Sequence, residues 1–534
     1  MHQTVLLCLS LLLVVSLLTL LGQRLRLPLP IFLVLSGLLI SFVPGLPRIE
    51  VNPDLIFLIF LPPLLYEAAW FTSWREFWRW RRIIGSLAFG LVFFTAFAVA
   101  YFAKALIPGF TLALGFLLGG IVSPPDAVAA TTVLRGIRVP RRVLSVLEGE
   151  SLVNDAASLI VFRFALGAVL SGTFAFGQAV GNFFLVTFGG IAVGLAGAGV
   201  FYVIHRFVPA PVRTTILLTL LTPYLLYLTA EGLHLSGVMA VVSGGLLMAN
   251  HRHSILNHTA RLQGGAVWST LAFALNGIVF ILIGLELPVI LRGLGDYSAG
   301  QALTYALLIT LLLIATRLGA AYFMALFTWV VGRVFPRAVA ERNPGWRAPA
   351  IVGWAGMRGV VSLASALSVP LVLPSGAPFP HRNLILFITF VVILGTLVVQ
   401  GLTLPWVVRR VHFEDPDHRL PEDEQQSVLR LRLLDVALTH LSERHGPETG
   451  HNELVNNLKN RLETDRHLTN QHLSSLACDD KKLDRYHEIR TDMLAVMRRE
   501  LREFQHRDEF DDDVIRQEEA RLDLEEERVD HPGH

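Results

Sequence analysis

The sequence of 534 residues is poor in several features that would give a chain an easy assignment. It holds two cysteines, Cys8 in an apolar run and Cys478 in a charged one, so no disulfide framework organises it. It holds four lysines, Lys104, Lys459, Lys481 and Lys482. None stands in a GxxxxGK(S/T) setting, which excludes a P-loop ATPase motor within the chain. Its 18 histidines form no ligand-spaced cluster, and HRHSILNH at 251–258 reads as a basic surface loop rather than a metal site. No nucleophile–base pair emerges, so the chain is not expected to be an enzyme. Acid is scarcest of all over most of the length: residues 1–410 carry 12 Asp and Glu against 27 Lys and Arg, a net of +15.

What fills that first part is apolar sequence. Stretches of about 20 residues, the length that spans a bilayer, recur near 4–21, 27–46, 55–72, 83–104, 111–133, 143–170, 182–204, 214–231, 235–250, 267–291, 301–331, 348–373 and 384–408. The expectation is an all-α polytopic membrane protein with about 13 transmembrane helices. Beyond Arg409-Arg410 the character inverts: residues 411–534 hold 31 acidic and 18 basic side chains, a net of −13. This second part, with runs such as LRLRLLDVALTHLSER, reads as soluble charged helices. The domains are therefore 1–410 in the membrane and 411–534 as a helical tail. The N-terminal run lacks a basic start, and RLRLPLP follows it where small residues should precede cleavage, so it reads as a span rather than a signal peptide.

Loop charge sets the orientation. Loops after odd-numbered spans hold 18 Lys and Arg, against four (Arg48, Lys104, Arg292 and Arg382) on the other side. The positive-inside bias puts the N-terminus outside and the tail in the cytosol. The acidic tail is then able to dock on the arginine-rich loops, an attraction that salt would weaken.

A charge at the bilayer centre costs roughly 2.5–3.5 kcal/mol on insertion scales, so those present are functional or paired. They are Glu67, Asp126, Asp155, Arg163, Glu286, Arg317 and Arg358, with Glu148 and Glu150 nearer a helix end. In EGESLVNDAAS (148–158), Ser151 and Asp155 stand at i and i+4 with Asn154 between them, while Glu150 points about 140° away. Two readings fit: oxygen ligands for a small hard cation, or a polar cluster that packs helices. In GGIVSPPDAVAATT, Pro124 and Pro125 remove two donors and should break the helix near Asp126, which would sit at the start of the resumed half. GWAGMRGVVSLASALS offers a comparable break at Gly353, Gly356 and Gly359, with Arg358 inside it. Glu150 is the expected partner of Arg358. Two interrupted helices in corresponding places of two halves point to a secondary-transporter site built on inverted repeats. Arg163 reads as a snorkelling side chain, Glu231 and His234 as a short external loop, and Glu286 and Arg317 as secondary candidates that pair with each other.

At this point LPPLLYEAAW, SPPDAVAA, EGESLVNDAA, FILIGLEL and GWAGMRGVVSLA, in that order over 61–369, resemble the monovalent cation/proton antiporter family of bacterial sodium/proton antiporters and animal sodium/hydrogen exchangers. The resemblance implies a dimer of thirteen-helix protomers, each with a scaffold and a moving six-helix core containing two crossed, unwound helices. It implies that Asp155 binds cation and proton in alternation. It also implies that Asn154 replaces a second aspartate and makes exchange electroneutral. Na+ would be held at Asp155, Glu67 and Ser151, with Asp126 acting through water, and Glu150–Arg358 would be a structural ion pair. Where relatives often read Thr-Asp-Pro, this chain has Pro125-Asp126-Ala127, leaving the Pro125 carbonyl rather than a hydroxyl.

The expected partners are Na+, Li+ or K+, H+, membrane lipid and a second copy, in the plasma (inner) membrane, with no cofactor and no nucleic acid. Potassium/proton exchange at the same site is the nearest rival. A cation channel or membrane sensor is a more distant one, for which no continuous pore or signalling module is visible.

Overall fold

A computed structural model describes residues 2–25, 28–43, 53–134, 137, 139–172, 176–294, 297–334, 346–411, 422–449, 452–475, 481–504 and 512–530. Several loop arginines that carry the orientation argument (Arg26, Arg48, Arg135, Arg138, Arg337 and Arg342) lie outside the described residues. The chain divides into two compact units, Met1–Pro416 and Asp417–His534.

Among its described residues the first unit is built of helices, with one isolated bridge between Val372 and Pro378 in the connection that follows the sixteenth helix. Its elements are α1 (His2–Leu25), α2 (Leu29–Ser41), α3 (Pro53–Phe71), α4 (Trp74–Gly85), α5 (Val92–Leu106), α6 (Leu112–Val122), α7 (Ala127–Leu134), α8 (Arg141–Ser171) and α9 (Phe176–Phe207). They continue as α10 (Val212–Gly232), α11 (Gly237–Ile255), α12 (His258–Leu285), α13 (Leu287–Arg292), α14 (Ala299–Val334), α15 (Arg347–Trp354), α16 (Val360–Leu367), α17 (Arg382–Gly395) and α18 (Gly401–Val411). π-helical turns at Ser86–Leu91 and Thr396–Gln400 join α4 to α5 and α17 to α18. By length and composition eight helical stretches among the described residues can cross a membrane, and shorter apolar helices accompany them. Over the described residues the apolar segments found in the sequence fall on these helices, some of them across a break or a π-helical joint.

Two packing groups emerge. In one, α3, α9, α10 and α11 pack together while α2 lies along α12. In the other, α4 to α8 pack with α14 to α18: α5 on α6, α6 on α8, and α14 on α15 and α17. Small residues set the closest contacts. A Cβ on Gly115 or Gly119 of α6 would strike the α5 backbone at Ala100 or Ala96, so the two helices touch main chain to main chain, as van der Waals packing in lipid favours. The groups meet where α3 and α12 contact α16 and where α3 and α11 contact α8. That seam contains the site.

The second unit comprises α19 (Glu422–Thr449), α20 (Glu453–Ser475), α21 (Lys481–Phe504) and α22 (Asp512–Asp530). α19 pairs with α20 and α21 with α22. Leu494 and Leu522 form a small core, and Arg498 binds both Glu526 and Asp523.

Candidate functional site

The site is organised by two helix breaks that cross. α6 ends at Val122 and α7 begins at Ala127, with Pro124 and Pro125 between them; α15 ends at Trp354 and α16 begins at Val360. The breaks are joined directly, because Asp126 N–H donates to the Met357 carbonyl at 2.7 Å. The Asp126 carboxylate also caps α7, with Oδ1 accepting from Val128 N–H at 2.8 Å. A Cβ on residue 359 would collide with Asp126 Oδ2, so only glycine lets the acid lie against the second break.

Arg358 serves the opposite ends. Its Nε donates to Val122 O at 3.1 Å, its Nη1 donates to Gly356 O, and its own N–H donates to Thr396 Oγ1 at 3.1 Å. The cation thus occupies carbonyls freed where α6 and α15 stop, and the carboxylate occupies donors freed where α7 starts. Each sign matches the helix dipole it meets. Unwound backbone at membrane depth is tolerated because protein groups replace the missing ladder bonds.

This geometry corrects the expected ion pair. Glu150 does not meet Arg358; it meets Arg317 of α14, Oε1 to Nη1 at 2.7 Å and Oε2 to Nη2 at 3.0 Å, with the two side chains 1% and 2% exposed. Arg317 also donates from Nε to Val352 O at 3.3 Å. The guanidinium fork suits a carboxylate, whereas Arg358 bonds two carbonyls freed by the breaks and lies within electrostatic range of Glu150 without a hydrogen bond to it. The expected Glu286–Arg317 pair falls with it: Glu286 ends α12 within electrostatic range of Arg382. Arg163 does not snorkel. Its Nη2 donates to both oxygens of Glu231 at 2.9 Å, and Glu231, in the last turn of α10 rather than a loop, also accepts from Gly237 N–H at 3.1 Å.

On α8, Ser151 and Asp155 do face the same space, but Asn154 does not share it. Asn154 is fully buried and its Nδ2 donates to Pro125 O at 3.1 Å. Positions 154 and 155 lie about 100° apart on a helix, enough to send the amide into the break while the carboxylate faces outward. The Pro125 carbonyl is thereby partly used, with one lone pair left. Ser151 Oγ accepts from Ala127 N–H at 3.1 Å and likewise keeps one lone pair.

Glu67, Pro125, Asp126, Ser151 and Asp155 line one cavity of about 550 Å³. Its lining also includes Leu29, Thr72, Thr132 and Glu148. No hydrogen-bond donor among the described residues reaches the Asp155 carboxylate, which is half-buried. No three His, Cys, Asp or Glu among the described residues form a metal cluster. The carboxylates share a volume rather than a coordination sphere. Sequence reasoning missed Ser269 and Asn276 of α12 and Ser362 of α16, all on the cavity wall. The available signal was a lone polar residue within an apolar run, as in FALNGIVF.

The comparisons with known proteins agree with one another. The family model for the transmembrane sodium/hydrogen exchanger matches residues 10–410. The chain is 35% identical over 532 residues to an uncharacterized Na(+)/H(+) exchanger of Mycobacterium tuberculosis, covering 96% of this chain and 94% of that one. It is 35% identical to a sodium, potassium, lithium and rubidium/H(+) antiporter of Bacillus subtilis, over 71% of this chain and 57% of that one. Its fold is similar to that of the sodium proton antiporter MjNhaP1 from Methanocaldococcus jannaschii, with a TM-score of 0.59 at 20% identity over 77% of this chain and 99% of that one.

Proposed function

The chain belongs to the sodium/hydrogen exchanger family, and from that premise we propose that Asp155 is the carboxylate at which a monovalent cation and a proton displace each other. As a family member the protein is an integral membrane transporter, not an enzyme, and its activity is cation/proton exchange. The observation that carries the site assignment is the Asp155 carboxylate, which faces the cavity beside two crossed breaks with no donor bound to it among the described residues. A carboxylate held by an arginine would be neutralised already; this one is available to a mobile charge.

The cation is Na+, with Li+ or K+ as alternatives. Asp155 binds it only when ionised, so a proton expels it. Ser151 and the second lone pair of Pro125 O offer neutral oxygens, Glu67 and Asp126 set the surrounding negative potential, and water completes the shell. Asn154 acts as a positioning residue, tying α8 to the break through Pro125 and adding no charge, which makes exchange electroneutral. The group containing α8 moves against the group containing α3 and α12 with Asp155 loaded by either ion and stays still when the site is empty. The cavity opens to the cytosol, the N-terminus lies outside, the tail inside, and two copies pair in the plasma membrane.

Potassium is the second reading. It is favoured by Pro125 standing where a hydroxyl is common in relatives, and by the broad ion range in the name of the Bacillus relative. Exchange in proteoliposomes, read ion by ion with a pH dye, tests both. One proton competing with one cation predicts that the half-maximal cation concentration rises about tenfold per pH unit on the acid side. A half-maximal concentration independent of pH would overturn competition at one carboxylate.

A further inference from the structure

We propose that Ser362, on the second broken helix, supplies a neutral oxygen to the transported cation. The inference rests on the reading that the Asp155 cavity holds the ion, and it extends that reading from one broken helix to both.

Two observations carry it. Ser362 is 1% exposed, and its hydroxyl is buried with no hydrogen-bond partner among the described residues. It also lines the cavity shared by Asp155, Asp126 and Ser151. Asn154 Oδ1 and the Gln400 amide are also buried without partners among the described residues, but neither residue lines that cavity.

The orphaned hydroxyl has a structural cause. Serines and threonines in these helices donate back one turn: Ser158 to Asp155 O at 2.9 Å, Thr389 to Ile385 O at 2.8 Å, Thr396 to Val392 O at 2.8 Å. Four residues before Ser362 stands Arg358, inside the break and out of helical register, and three before it stands the N-cap Gly359, whose carbonyl accepts from Leu363 N–H at 3.4 Å. A buried hydroxyl left this way costs free energy unless something binds it.

The donor count points the same way. A small hard cation takes several oxygen ligands. Ser151 has given one lone pair to Ala127 N–H, and Asn154 is turned into the break by its Nδ2 bond to Pro125 O, so that its unpartnered Oδ1 belongs to a residue off the cavity wall. Ser362 brings two unused lone pairs. It enters from the first turn of α16, whose positive dipole end would repel a cation were Asp126 not packed against Gly359 at that end.

The test uses the full chain, purified and reconstituted, with Ser362→Ala and Ser362→Thr compared against the parent. Ser362→Ala should raise the half-maximal Na+ and Li+ concentrations about 5–10-fold, leave the maximal rate within about twofold and alter the Na+-to-K+ preference, while Ser362→Thr restores the parent values. Unchanged half-maximal concentrations for every ion would overturn the proposal, as would a fall in maximal rate alone, which marks a hydroxyl that serves helix movement. If exchange is lost altogether, thermal unfolding against Na+ concentration decides, since a bound ion stabilises the fold: protection shifted to higher Na+ supports the ligand role, and an unshifted curve refutes it. Asp155→Asn separates this from the underlying reading, because Na+ protection that survives in that variant removes Asp155 from the site whatever Ser362 does.

Discussion

Helix α8 carries two glutamate–arginine pairs, one on either side of Asp155, and they are built differently. Glu150–Arg317 is sealed, bidentate and joins helices of the same packing group, with a further bond to Val352 O. Arg163–Glu231 lies about 12 Å beyond Asp155 along the helix, has 48% and 26% side-chain exposure, and joins α8 to α10 of the other group. The first pair fixes the shape of the group that holds Asp155. The second links that group to its neighbour, on the opposite side of Asp155 from Glu150 along α8. If the groups move relative to each other, the second pair must open while the first stays closed. Burial follows that division of labour, since a pair that breaks in every cycle cannot leave two charges stranded out of water.

The largest effect should come from the sealed pair. Glu150→Ala or Arg317→Ala leaves one buried charge unpaired and should cost about 3–5 kcal/mol of stability, visible as loss of folded protein on size exclusion and a lowered unfolding midpoint. An unfolding curve like that of the parent would mean the pair does not hold the group together. Next is the crossing itself. Gly359→Ala pushes a methyl into Asp126 and should cost about 1–3 kcal/mol by overpacking, with a clear fall in exchange rate; full exchange would show that the breaks need not touch. Smallest in stability is the bridging pair. Arg163→Gln or Glu231→Gln should cost no more than about 1 kcal/mol, yet shift the balance of the two conformations about fivefold. Accessibility of a cysteine placed on the far side of Asp155 would read that shift. The charge swap Arg163→Glu with Glu231→Arg should return accessibility to the parent level, and failure of both arms would reduce this pair to an ordinary surface contact.

The same contrast explains what could be read from sequence. The breaks were visible because their causes are local: Pro124 and Pro125 lack donors, and the Gly356–Gly359 stretch tolerates close approach. Apolar length marked the long membrane helices but not α4, whose arginines Arg75, Arg79, Arg81 and Arg82 read as a loop and instead lie on a helix. The pairings were not visible. Glu150 and Arg317 are 167 positions apart, and nothing in either neighbourhood selects one arginine over another. Arg358 looked like a charge in need of an acid because the carbonyls that satisfy it are produced by the breaks, not by any side chain. Asn154 was misdirected for a simpler reason: neighbouring positions on a helix differ by about 100°, so adjacency to Asp155 in the chain is not adjacency in the cavity. Ser362 and Asn276 carried only the weak signal of single polar residues in apolar runs.

The central claim is that one carboxylate, Asp155, alternates between a metal ion and a proton. Its most direct test is Asp155→Asn in proteoliposomes with an imposed Na+ gradient and an internal pH dye, after monodisperse folding of the variant has been verified. The account predicts no Na+-driven proton movement above protein-free vesicles. Sustained, Na+-dependent proton flux from that variant would contradict it.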